Sequence, residues 1–220
     1  MLLCRIPAPV VAAGMLLLIV PGASRADSSI TDDPGLSRLR TYLDDLEILR
    51  ADFRQEVIDS DFKLVDEASG QVILKKPGRF RWHYTEPYER VIVADGERVW
   101  LYEADLRQVT IRRLETGLGA TPAALLTGDT HVLDQFEFLG STVDAGIEWM
   151  RLQPVSPESD FNTISLGFDD DGLVQIVLDD RLGQQTRMFL TNIERPASMP
   201  DEVFHFEVPA GVDVIGESDF

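Results

Sequence analysis

Residues 75–102 constrain the fold more than any other stretch. They read K-K-P-G-R-F-R-W-H-Y-T-E-P-Y-E-R-V-I-V-A-D-G-E-R-V-W-L-Y, three apolar-alternating runs punctuated by Pro77, Pro87 and Asp95-Gly96. Asp-Gly between two such runs is a strong hairpin signal, because both residues tolerate the left-handed turn conformation. The prolines sit at run edges, where a missing backbone N–H removes no ladder bond. Side chains alternate along a strand, so Phe80, Trp82 and Tyr84 share one face and His83 lies on the other. Three aromatics on one face make an apolar surface that another element must cover. Ile92, on the next strand, is expected beside them.

Periodicity extends this reading along the chain. Asp33-Pro34 supplies N-cap and first-turn chemistry for a helix. Leu36, Leu39, Leu43 and Leu46 recur at helical spacing opposite Arg38, Arg40 and Asp44. From Leu49 the period switches to two, and further strand-like runs follow at 62–76, 79–85, 88–94, 97–103 and 106–113. Gly117 to Gly128 breaks the rhythm, and Thr121-Pro122 is placed to start a short helix ending at Gly128. Strands resume at about 135–143, 147–154, 161–169, 173–181 and 185–194, and the segment Phe204–Val214 reads as a last strand and turn. The pattern predicts a mainly β antiparallel meander of about eleven strands with inserted helices.

The first 26 residues are expected to be a cleaved export signal rather than part of the fold. Arg5 precedes an apolar run from Val10 to Val20, too short to anchor in a bilayer, and Ser24-Arg25-Ala26 offers small residues before a cut at Asp27. The single cysteine, Cys4, lies ahead of the apolar run, so the domain from 27 to 220 has none and must rely on its core. Leaving out Arg5 and Arg25 lowers the basic count from 20 to 18 against 38 acids, a formal charge of −20. That charge opposes binding to phosphate backbones, and the small basic pairs Arg79/Arg81 and Arg112/Arg113 have acids close by, so nucleic acid is excluded as a partner.

The ordered set of these motifs resembles the outer-membrane lipoprotein carrier family (LolA). The resemblance rests on the basic pair before Pro77, Phe80-x-Trp82, Pro87, the Asp95-Gly96 hairpin with Trp100-x-Tyr102, Thr121-Pro122, and Phe204-x-Phe206-x-x-Pro209-x-Gly211. It covers roughly residues 36–214. It implies an incomplete antiparallel β-barrel with a helical lid over an apolar cavity for lipoprotein acyl chains. The implied lining is Phe80, Trp82, Tyr84 and Ile92, with the Leu36, Leu39, Leu43 and Leu46 face of the lid. It also implies a monomer in the periplasm, loaded by an inner-membrane ABC transporter and unloaded by an outer-membrane receptor. One departure stands out. Lys76 occupies the place where the family commonly has an arginine that holds the lid through backbone carbonyls, and lysine lacks the planar guanidinium fork.

No catalytic constellation, nucleotide loop or metal spacing accompanies these motifs. His83, His131 and His205 are widely separated, and Asp169-Asp170-Asp171-Gly172 reads as a hairpin turn rather than a calcium loop. No enzyme activity and no cofactor are expected. From the residues alone the aromatic stripe fits either a filled core or a cavity wall, and Lys76 either a solvated strand-end lysine or a latch. A lipid-binding or lipoprotein-sensing domain on the same scaffold is the alternative to a carrier.

Overall fold

The computed structural model describes residues 33–114, 122–127 and 130–216. The expected signal segment, residues 1–26, and the Gly117–Thr121 approach to the second helix lie outside them. Helix α1 (Pro34–Asp45) opens as its sequence predicts: the Asp33 carboxylate accepts from the Gly35 N–H at 2.8 Å, and Pro34 occupies the first turn. The helix ends at Asp45, so Leu46 is its extended C-cap rather than a fourth member of the helical face.

Twelve strands follow: β1 (Ile48–Ile58), β2 (Leu64–Lys75), β3 (Arg79–Glu86), β4 (Arg90–Asp95), β5 (Arg98–Glu103), β6 (Gln108–Arg113), β7 (Phe136–Asp144), β8 (Ile147–Pro154), β9 (Phe161–Phe168), β10 (Leu173–Asp180), β11 (Gln185–Glu194) and β12 (Asp213–Gly216). They form one sheet in the order β12-β6-β5-β4-β3-β2-β1-β11-β10-β9-β8-β7, with β12 and β7 as open edges. The sheet is curved over its contents but not closed. Every pairing is antiparallel except β12 on β6, which is parallel. The long β1 joins two meanders, pairing with β2 on one side and β11 on the other. Gly70 allows β2 and β3 to close up at Tyr84, since a Cβ there would lie 1.9 Å from the His83 carbonyl oxygen.

Helix α1 packs on β7 and β8, at one end of the sheet. Arg38 fixes it there, donating to the Glu148 carboxylate and the Asp169 carbonyl, each at 2.5 Å. Ser141 adds a hydroxyl bond to the Asp33 carboxylate at 2.9 Å. The second helix, α2 (Pro122–Thr127), packs instead on β2 and β3 and buries Leu125 and Leu126. The Gly78 N–H donates to its Thr127 carbonyl at 3.0 Å.

The C-terminal segment differs from the expected strand. Residues Asp201–Phe204 form a 3-10 turn against β3 and β4, and the chain pairs again only at β12. Phe204 is buried, as are Val91, Val93, Val109 and Ile111 on the sheet face opposite Phe80 and Trp82. Lys75 and Arg79 clamp this strap through the Asp201 carboxylate at 2.5 and 3.0 Å, and the hydrogen bond from Lys75 holds that carboxyl below its ordinary 3.8. Pro200 and Pro209 bracket the Phe204-x-Phe206 alternation and remove the N–H groups that a ladder would need.

Candidate functional site

Strand register gathers the candidate residues. On the concave face Trp82 is opposite Ile92 of β4 and Val72 of β2, while Phe80 is opposite Ala94 and Leu74. Phe53 of β1 sets its ring edge-on to Trp82 and Tyr84, at 6.0 and 4.9 Å between centroids. The Tyr84 hydroxyl donates to Gln55 at 3.1 Å, and burial pushes its pKa up. The Arg90 guanidinium stacks 4.1 Å from the Tyr84 ring centroid. The Trp82 indole N–H is buried without a hydrogen-bond partner.

Above this wall is a cavity of about 480 Å³, lined by Phe80, Trp82, Tyr84 and Ile92. Val99 and Leu101 of β5 extend the apolar wall on one side, and Met188, Leu178 and Phe161 on the other; Ala123 of α2 covers part of it. Its few polar members are Gln55, Thr110, Thr186 and Arg112. The volume falls in the range of pockets that take apolar small molecules. Nothing local in the sequence marks Met188, Leu178 or Phe161, because they reach the cavity only through the β1–β11 junction. Val99 and Leu101 could have been found by carrying the Ile92 alternation across the Asp95-Gly96 hairpin.

The leucines of the first helix are placed differently from the expectation. Leu36, Leu39, Leu43 and Leu46 are all buried in the main core, but none is among the cavity's lining residues. An amphipathic pattern shows that a helix buries one face, not which part of a sheet receives it. Among the described helices α2 is the one that reaches the cavity, through Ala123.

Lys76 ends β2, and its ammonium donates to the Leu43 carbonyl in the last turn of α1. That turn contains no basic residue of its own. Its carbonyls lack intrahelical partners and carry the negative end of the helix dipole, so a cation supplied from β2 satisfies both needs. The Lys76 backbone N–H also donates to Glu47 at 2.8 Å. Among the described residues no three His, Cys, Asp or Glu side chains gather as metal ligands. The Asp169 carboxylate is used by its own turn, accepting from Asp171 and Gly172 N–H at 2.8 and 3.1 Å.

The described residues form an open β sheet with an apolar cavity on one face, and Ala123 of α2 lies at that cavity. The family model for the outer membrane lipoprotein carrier protein LolA matches residues 44–207. The outer-membrane lipoprotein carrier protein of Nitrosospira multiformis is 40% identical over 191 residues, spanning 86% of this chain and 92% of that one. That of Methylococcus capsulatus is 37% identical, spanning 90% of this chain and 95% of its own. A solved LolA superfamily protein from Nitrosomonas europaea aligns over 77% of this chain and 97% of its own, at 13% identity and TM-score 0.45. The chain belongs to the LolA outer-membrane lipoprotein carrier family.

Proposed function

We propose that this protein shelters lipoprotein acyl chains in the Phe80–Trp82–Tyr84 cavity and ferries them through the periplasm. The observation that carries the reading is the apolar cavity beside a stripe of three aromatics, in a chain of this family. In this reading residues 1–26 are removed on export and the mature monomer starts at Asp27. An inner-membrane ABC transporter loads it and an outer-membrane receptor unloads it.

The energetics explain why both partners are required. Burying acyl chain is worth about 0.8 kcal/mol per CH₂, so a triacylated cargo holds tens of kcal/mol of exposed surface in water. The carrier has no nucleotide loop, and the loading work must come from outside. A cavity of about 480 Å³ must also widen for several chains. Moving α1 would expose three fully packed leucines together with Leu46, about 6–12 kcal/mol at 1.5–3 kcal/mol each. Moving α2 exposes Leu125 and Leu126, about 3–6 kcal/mol by the same measure. The cheaper cover is α2. Lys76 then holds the end of α1 and the β2–β3 turn, the turn from which Gly78 ties α2.

Native mass measurement of the protein purified from the periplasm tests the proposal. The expected species is a chain beginning at Asp27, in part carrying a triacylated protein. A chain that retains residue 1, or one that never carries an acylated partner, overturns it.

A further inference from the structure

Among the described residues Arg112 is the one guanidinium that lines the cavity. It lies on β6 opposite Val99, with Thr110 on the same face, and all three line the cavity. Among the described residues it makes no hydrogen bond, ion pair or ring contact. Most other arginines of the chain do: Arg38 meets Glu148, Arg79 meets Asp201, Arg90 stacks on Tyr84 and Arg195 on Tyr42. With 38 acids against 20 bases, carboxylate partners are abundant. Arg112 is solvent-exposed while it lines the apolar cavity, so its guanidinium is open to an anion that arrives with an apolar tail.

We propose that the cavity takes single-chain amphiphiles whose head is an oxyanion, a carboxylate or a phosphate, with Arg112 on the head and the Phe80–Trp82–Tyr84 wall on the tail. The planar guanidinium fork matches either oxyanion through two parallel N–H bonds. Thr110 offers a hydroxyl beside it. An acyl chain joined through an ester or amide brings no charge to Arg112, so these ligands extend beyond the acylated protein. The proposal rests on the acyl-cavity reading above.

Titration calorimetry with dodecanoate, monododecyl phosphate, 1-dodecanol and inorganic phosphate separates the two. The wild-type protein should bind both anionic amphiphiles about tenfold more tightly than dodecanol, as a charge-assisted pair in a partly wet site provides. Inorganic phosphate, having no tail, should bind far more weakly than monododecyl phosphate. In Arg112→Gln the preference should vanish or reverse, because the chain's net negative field then acts alone. Dodecanol affinity should be unchanged, and Arg113→Gln, on the opposite face, should keep the preference. Equal wild-type affinity for dodecanoate and dodecanol overturns the inference and leaves the cavity standing, as does a preference that survives Arg112→Gln. Failure of dodecanol and both anions to bind overturns the cavity and the inference together.

Discussion

Replacing Trp82 by alanine distinguishes a cavity wall from a sealed core. At a packed site a Trp-to-Ala change costs about 3–5 kcal/mol, the lost transfer energy plus the void left behind. Trp82 is only 6% exposed, so burial alone predicts the full cost. Two features lower it. One side of the ring already faces the cavity, so truncation enlarges an existing space rather than opening a new one. The indole N–H is buried unpaired, and its removal relieves a desolvation cost of about 1–3 kcal/mol. Against this stands the lost edge contact with Phe53, about 0.5–1.5 kcal/mol. The expected net cost is about 1–3 kcal/mol. Phe168→Ala is the internal reference: that ring is 1% exposed, packs edge-on to Tyr42 at 4.9 Å, and lies outside the cavity. It should cost the full 3–5 kcal/mol. Urea unfolding of both variants at constant m-value measures the difference. A Trp82→Ala cost equal to that of Phe168→Ala would refute the reasoning, because it would mean that Trp82 has dense packing on every side.

Three further outcomes follow from the same geometry. Lys76→Leu should cost about 1–2 kcal/mol by stripping the α1 end of its cation and slow transfer of bound acyl cargo to the receptor, whereas Lys76→Arg should restore both; release rates from loaded carrier check this. Asp201 has a folded-state pKa below its ordinary 3.8, so its clamp is fully present above that value and fades as pH falls through the lower folded value. Asp201→Asn should therefore lose stability relative to wild type at neutral pH and converge with it in strong acid, read from unfolding midpoints across that range. A disulfide engineered to tie α2 to β3 should block acyl uptake until reduced, while one tying α1 to β8 should leave uptake intact; probe binding with and without reductant separates the two covers.

Much of the site was legible because β3 and β4 are specified locally. Two prolines and an Asp-Gly turn bound the strands, and period-two alternation then sets Phe80, Trp82 and Tyr84 together, with Ile92 across the ladder. The start of α1 was equally legible, since capping is a short-range interaction. Its destination was not: β7 and β8 lie about a hundred residues away, and the contacts that choose them, such as Arg38 with Glu148, have no local sequence signature. The strap is a second case. Phe204 and Phe206 alternate like strand residues, but flanking prolines and the attraction of Lys75 and Arg79 for Asp201 favour a turn that plugs the convex face. Arg112 and Arg113 read as one small basic pair in the sequence. Alternation on β6 separates them, turning only Arg112 towards the cavity.

Site-specific photo-crosslinking to acylated lipoprotein tests the central claim most directly. A crosslinking side chain at Trp82 or Tyr84 faces the cavity, and one at His83, the intervening residue of the same strand, faces the opposite side. The account predicts acyl-dependent adducts at 82 and 84 and none at 83. Equal yields at 82 and 83, or no adduct at 82, would contradict it.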